Sequence, residues 1–235
     1  MSRTYLQLCQ DAVRDIGITG GVLTTAVQSQ LTSQEQIRMC AWVAYADIYV
    51  QSLWTDWNFL WFLDNTISVP VGQDFITPTQ TPLDLDRENI VLNYQTSTAY
   101  TPTWLDWPTF YRMWQIRPKT SALFPTNWSQ DPSGKIWLSH LPSAVLPVAL
   151  PYWRQPTQMV NNSDTSPIPT QFDRIIVERA KILYAEREDA GEILAGSNSE
   201  YMDLLDKLQA YALPMGYAAR KSRNDRITIP QPHVE

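Results

Sequence analysis

The chain has few of the residues on which several large classes of protein depend. Its 235 residues include only eight glycines, two histidines and two cysteines. So few glycines leave little room for a phosphate-binding glycine fingerprint, and none occurs. Neither His140 nor His233 has a second His or Cys at the spacing of zinc ligands. Residue types alone leave open a Ser-His-Asp triad around His140, but no G-x-S-x-G motif supports it. The sequence therefore predicts no catalytic residue, no cofactor and no metal site.

Positive charge and long apolar runs are also scarce. The formal net charge is −6, whereas a dedicated nucleic-acid-binding protein carries a basic patch or stripe. No apolar run approaches the roughly 18 residues of a membrane span, and no signal-peptide pattern follows Met1. We therefore expect a soluble protein that is made in the cytoplasm. Cys9 and Cys40 lie on apolar helix faces, which predicts buried free thiols rather than a disulfide.

Tryptophan and proline are abundant by contrast. The chain has ten tryptophans and 17 prolines, and every tryptophan lies between Trp42 and Trp153. Aromatic residues are enriched in the cores of protein interfaces, but they also fill the core of a β-domain, and both interpretations stay open. A Trp-rich β-domain with carboxylates is also typical of a glycan-binding module or, less often, of a polysaccharide or peptidoglycan hydrolase. Asp106, between Trp104 and Trp107, is the best candidate residue for such chemistry.

Helical periodicity marks the beginning of the chain. Apolar residues recur at helical spacing over Ser2–Gly17, and Gly17 is suited to end a helix in the left-handed conformation. A second helix is predicted over Ser33–Phe62, where neither proline nor glycine occurs. It carries two apolar stripes, of which Trp42, Tyr45 and Tyr49 form the second. Because a surface helix needs only one stripe, we expect a neighbouring subunit to cover the second.

The middle of the chain reads as β-structure. Residues 64–168 lose helical periodicity and gain short β-prone runs, and the segment Asp131–Gly134 predicts a hairpin turn. Residues Trp107–Trp114 predict a short helix with Pro108 in its first turn. The candidate strands are Thr66–Val69, Asn89–Tyr94, Thr103–Trp107, Lys135–Ser139 and Val148–Trp153.

Helices return near the end. One is predicted over 170–189, and a second follows a break at Gly191 and Gly196, with Ser197 and Glu200 as a capping box. The second helix has an apolar stripe at helical spacing, formed by Tyr201, Leu204, Leu205, Leu208 and Ala212. The predicted class is α+β: N- and C-terminal helices form one helical bundle with an inserted small antiparallel β-domain and an extended C-terminal tail. The predicted segments are a helical core over 1–63 and 169–213, a β-rich domain with linker over 64–168, and a tail over 214–235.

The pattern YLQLCQDAVRDIGITG, followed by IRMCAWVAYADIYVQSLWTDWNFL, resembles the opening of bacteriophage head-to-tail adaptor proteins, the tail accessory factors that bind the portal. The resemblance covers about the first 62 residues well and the C-terminal helical region loosely. It implies a structural virion protein that forms a ring of about twelve copies under the portal. Such a ring extends the DNA ejection channel and docks a tail nozzle or tube protein. DNA passes without sequence-specific binding, and no membrane is involved.

The resemblance also gives roles to three groups of residues. Trp42, Tyr45 and Tyr49 become the expected oligomer interface. Trp104, Trp107 and Trp114 become the expected face for the tail partner. The tail is expected to insert into the portal, since two isoleucines flanked by prolines suit strand addition or a groove; an ordinary frayed terminus is the alternative. The tail residues expected to bind the portal are Arg220, Lys221, Arg223, Arg226, Ile227 and Ile229.

Overall fold

The computed structural model describes residues 2–18, 22–94, 96–122 and 124–213. The chain divides into two compact units, one from Met1–Leu60 and Pro156–Glu235 and the other from Trp61–Gln155. The described part of the first unit contains the four long helices, and the second contains the strands. The helices are α1 Tyr5–Ile16, α2 Gln34–Ser52, α3 Trp107–Phe110, α4 Arg174–Glu188 and α5 Gly191–Ala212.

Helix α1 begins and ends at residues suited to those positions. Thr4 and Gln7 form a reciprocal capping box, in which the Gln7 side chain accepts from the Thr4 N–H at 2.9 Å. Gly17 ends the helix in the left-handed conformation with φ 76°, as predicted, because glycine adopts positive φ without steric cost. Cys9 and Cys40 are buried free thiols, and Tyr5 Oη donates a hydrogen bond to the Cys40 carbonyl at 2.7 Å.

Helix α2 ends ten residues before the predicted end, at Ser52 rather than Phe62. The chain then turns, so that the Trp57 side chain is fully buried and its Nε1 donates to the Val50 carbonyl at 3.2 Å. Burial of this large aromatic ring outweighs continuation of the helix. Ser33 precedes the helix without a side-chain capping bond.

The predicted break between the last two helices is misplaced. Helix α4 ends with Asp189 in the left-handed conformation, and α5 begins at Gly191 and continues through Gly196. Ser197 is buried inside α5 and therefore does not cap it. The predicted apolar stripe of α5 is confirmed, because Tyr201 and Leu208 are buried.

Ten short or medium strands lie within the described part of the second unit. The first sheet has the order β1-β10-β3, with β4 also paired to β10; the second has the order β2-β8-β7-β5, and β6 pairs with β9 in the third. The strands are β1 Trp61–Val69, β2 Phe75–Ile76, β3 Pro82–Leu85, β4 Val91–Leu92, β5 Thr103–Trp104, β6 Ser121–Ala122, β7 Asn127–Gln130, β8 Ile136–Leu138, β9 Leu141–Pro142 and β10 Leu146–Arg154.

This topology confirms the α+β class but corrects the predicted architecture. The strands are of mixed direction, because β5 pairs with β7 and β6 with β9 in parallel. Helix α3 lies in the same part of the sequence as the strands. The prediction of one terminal-helix bundle with a small antiparallel inserted domain is therefore wrong. An antiparallel domain was predicted because the many prolines suit edge strands and loops. However, long connections between short strands also allow parallel pairing. The predicted tail over 214–235 lies outside the described residues.

The hairpin that supports the candidate site forms as predicted. Strands β7 and β8 are antiparallel, and the turn Asp131–Gly134 joins them with Gly134 at φ 88°. The Asp131 carboxylate accepts hydrogen bonds from the Ser133 N–H at 2.8 Å and from Trp137 Nε1 at 3.0 Å. Partial burial opposes ionisation of Asp131, but these hydrogen bonds prevail and lower its pKa. The turn therefore fixes Trp137 on the hairpin.

Candidate binding site

A short helical segment of the second unit carries an open cavity that is lined in part by large side chains. Asp106 caps α3, since its carboxylate accepts from the Thr109 N–H at 3.1 Å, and Pro108 occupies the first turn. One turn of π-helix, Tyr111–Gln115, then continues α3. Such π-turns are often found at functional sites. The predicted helix over Trp107–Trp114 is therefore confirmed, with a change of helix type in its second half.

The cavity follows the π-turn. Its volume is about 560 Å³, which falls in the range of sites that hold small ligands or a few side chains. We call it the π-turn pocket. Its lining residues are Thr109, Arg112, Met113, Trp114, Arg117, Pro118, Lys119 and Thr120.

Three cations line the π-turn pocket. Lys119 is fixed, since its Nζ lies 2.6 Å from Asp74 Oδ2 and 3.0 Å from the Leu138 carbonyl oxygen. Burial lowers the pKa of Lys119, and the contact with Asp74 opposes that shift. Arg112 donates from Nε to the Pro108 carbonyl at 3.3 Å. Within the described ranges, Arg112 and Arg117 form no ion pair, so both guanidinium groups can receive an anion.

Aromatic rings pack within this helical segment and against neighbouring residues of the second unit. Trp107 stacks on Phe110 with 6.0 Å between centroids and lies 6.4 Å from Trp137. Trp114 packs on the His140 ring at 4.7 Å. Three tryptophans were predicted to form a tail-partner face. Two of them, Trp107 and Trp114, lie on this one helical segment. Trp104 lies on β5, where its partly exposed ring contacts the Arg87 guanidinium at 4.7 Å.

Exposed apolar side chains lie on the same helical segment. Tyr111 and Met113 are each about half exposed, and Ile116 is 63% exposed. These residues and the pocket cations were missed by the sequence analysis, which weighed tryptophan density alone. A charge pattern could have revealed them, because residues 107–130 contain three basic side chains and no acidic one in a protein of net charge −6.

The catalytic alternatives find little support in this geometry. Ser139 Oγ lies 2.9 Å from His140 Nδ1, but Ser139 is fully buried and also accepts from the Asn127 N–H at 3.1 Å. A nucleophile must reach its substrate. Asp106 is engaged as a helix cap, and its hydrogen bonds with Thr109 lower its pKa, whereas a glycosidase acid needs a raised one.

The second stripe of α2 contacts α4 of the same chain. The Trp42 ring lies 6.2 Å from that of Tyr184, and the Arg179 guanidinium lies 4.4 Å from the Tyr49 ring centroid. Tyr45 packs beside Tyr49 at 6.3 Å. All three stripe residues keep intermediate exposure, so α4 covers the stripe in part. The role of this stripe as an oligomer interface remains a prediction.

The remaining expectations concern the tail, metal sites and membrane-spanning helices. The predicted portal-binding residues, from Arg220 to Ile229, lie outside the described residues. Among the residues the structure describes, no group of three or more His, Cys, Asp or Glu side chains is arranged to hold a metal ion. No described helix combines the length and apolar character needed to cross a bilayer.

These features define an α+β protein with a basic, aromatic surface pocket. The chain belongs to the SU10 adaptor protein family, whose model matches residues 3–226. This match confirms the resemblance to phage head-to-tail adaptors and extends it over nearly the whole chain. Membership gives the protein the role of a phage adaptor and a place among the structural components of the virion. A comparison with curated proteins gives no match.

Proposed function

We propose that this protein is a head-to-tail adaptor that assembles as a ring of about twelve copies under the phage portal. The ring extends the channel for the genome and docks the next tail component, a nozzle or tube protein. Family membership over residues 3–226 is the observation that carries this proposal. The protein is made in the host cytoplasm and then joins the virion.

The α2 stripe is the proposed contact between copies. Trp42, Tyr45 and Tyr49 are large aromatic residues that α4 covers only in part. Tryptophan and tyrosine are the side chains most enriched among residues that dominate interface energies. A neighbouring copy that covers their remaining surface gains apolar burial without a change of fold.

The segment with Trp104, Trp107 and Trp114 is the proposed face for the tail partner, and the tail is the proposed contact with the portal. Residues 214–235 contain four basic and two acidic side chains, whereas the rest of the chain is acidic. An acidic body also suits passage of DNA, because a wall rich in lysine and arginine would hold phosphates.

Light scattering on the purified protein, alone and mixed with its cognate portal ring, tests the proposal. We expect the protein to join the portal as a stoichiometric ring that elutes with it. A portal ring that elutes with unchanged mass after mixing would contradict the adaptor role. A variant truncated after Leu213 is the matched control for the contribution of the tail.

A further inference from the structure

The π-turn pocket carries more positive than negative charge. The Asp106 carboxylate, which caps α3, interacts electrostatically with Arg112 but forms no ion pair with it in the described chain. Residues 107–130 contribute Arg112, Arg117 and Lys119 and no carboxylate. Asp74 neutralises Lys119 at 2.6 Å, whereas the two arginines have no ion-pair partner in the described ranges. Two arginines that line one pocket suit a carboxylate, which guanidinium groups bind through paired hydrogen bonds.

Exposed apolar side chains also lie on the helical segment that carries the pocket, and Met113 is one of the lining residues. Tyr111, Met113 and Ile116 are among the most exposed large apolar side chains of the described chain. Arginine, methionine and aromatic residues are the types enriched in interface cores. A ligand for this surface therefore combines negative charge with at least one apolar group.

Two donors beside the pocket lack acceptors. The Trp114 indole N–H and the Gln115 side-chain amide are buried and have no hydrogen-bond partner among the described residues. A buried donor without an acceptor is energetically unfavourable. Both belong to the π-turn, so a small shift of this turn on binding would let them reach an acceptor on a ligand.

We propose that the π-turn pocket binds an acidic peptide segment of a neighbouring virion protein. A carboxylate side chain lies between Arg112 and Arg117, and an apolar side chain of the same segment packs on Met113 and Ile116. This inference deepens the proposed function and rests on it, since it gives the chemistry of the tail partner that the adaptor docks.

The geometry favours a peptide over nucleic acid. DNA binding relies on a row of phosphate contacts along a basic stripe, whereas here two arginines without an ion-pair partner in the described chain line one pocket of about 560 Å³. It also favours a peptide over a glycan. Sugar sites use an open aromatic face, but the Trp114 ring is half-buried and packs on His140.

Fluorescence anisotropy with short labelled peptides tests the proposal on the full chain without the portal. The probes are the octapeptide EDLEDFED, its uncharged counterpart QNLQNFQN, and a twelve-base-pair DNA duplex. We expect saturable binding of the acidic peptide alone, with a dissociation constant on the order of micromolar to millimolar. Equal affinity for both peptides, tighter binding of DNA, or no saturable binding would each overturn the proposal.

Matched variants locate the site. Arg112→Gln with Arg117→Gln should weaken binding of the acidic peptide at least about tenfold, since both carboxylate partners are lost. The control is Arg3→Gln with Arg14→Gln, which removes the same charge from another surface pocket, where both arginines contact Asp11. If both double variants lost the same affinity for the acidic peptide, the pocket assignment would be overturned. Binding would then depend on the net charge of the protein and not on this pocket.

A single variant protects the test against misfolding. Arg117 is exposed and has no ion pair in the described chain, so Arg117→Glu should leave the thermal unfolding temperature unchanged and still abolish binding by repulsion. Unchanged affinity of this variant would overturn the proposal. Because the portal is absent, failure here leaves the adaptor role standing, whereas failure of portal binding with peptide binding intact contradicts the adaptor role alone.

Discussion

The Ser166 hydroxyl donates a hydrogen bond of 2.5 Å to Asp47 Oδ1, across 119 positions of sequence. Asp47 lies on α2 with no exposed surface, and its second carboxylate oxygen has no partner among the described residues. Burial raises the pKa of Asp47 to about 6; the bond from Ser166 opposes that shift and the nearby Asp173 adds to it. The first unit therefore holds a carboxyl group that keeps its proton in mild acid.

This raised pKa predicts that the contribution of Asp47 to the stability of the fold falls as the pH rises. Between the ordinary value of 3.8 and about 6, Asp47 is ionised in the unfolded chain but protonated in the folded one. The stabilisation is complete below the unfolded pKa and is lost as the pH passes the folded pKa, a change of about 3 kcal/mol. Asp47→Asn should therefore be more stable than the wild type at pH 8.

Urea unfolding at several pH values checks this prediction. The variant keeps an acceptor for Ser166 and lacks the titrating group, so the stability difference between the two proteins should grow between about pH 4 and pH 6. Asp203→Asn is the control, since Asp203 is exposed. A constant difference across this range would show that Asp47 ionises normally.

Two glycine substitutions should have opposite effects. Gly17→Ala should destabilise the protein by about 1 kcal/mol, because Gly17 has φ 76° and alanine is strained there. Gly196→Ala should stabilise it by about 0.5–1 kcal/mol, since Gly196 lies inside α5 and an added Cβ meets no atom within 4 Å. Thermal or urea unfolding measures both. Effects of the same sign would contradict the backbone argument.

Trp42→Ala and Tyr49→Ala test the proposed contact between copies. We expect each change to reduce ring formation on the portal more than it reduces the free energy of unfolding, because α4 covers these rings only in part. Light scattering with the portal and urea unfolding of the free protein give the two readouts. A monomer that no longer folds would make the stripe part of the core.

Truncation after Leu213 tests the proposed role of the tail. The variant retains α5 and the hydrogen bond from the Asn58 N–H to the Ala212 carbonyl at 3.0 Å. We therefore expect an unchanged helical circular dichroism signal and a large loss of portal affinity. Unchanged affinity would contradict insertion of the tail.

Structural features that depend only on residues close in sequence were predicted correctly. The end of α1 at Gly17 and the turn at Asp131–Gly134 require only positive φ and short-range hydrogen bonds, which glycine and aspartate favour anywhere. The same holds for the apolar stripe of α5, where spacing alone places Tyr201 and Leu208 on one face.

Features that depend on distant partners were not predictable in this way. The end of α2 depends on burial of Trp57, and the parallel pairing of β5 with β7 joins strands more than twenty residues apart. Asp47 is a polar residue on a core-facing position, which its partner Ser166 makes tolerable. The convergence of Arg112, Arg117 and Lys119 on one pocket also depends on the fold, although the run of basic residues is visible in the sequence.

The hydrogen bond from the Arg3 N–H to Asp173, at 3.0 Å, joins residues 170 positions apart. A ribosome adds roughly 5–20 residues per second, so the start of the chain emerges on the order of ten to thirty seconds before this partner is synthesised. During that interval α1 can pack on α2 but not on α4, so the part of its apolar face that α4 later covers is open to other nascent chains. The rate of translation, together with the supply of chaperones in the host, should therefore limit how much adaptor reaches assembly.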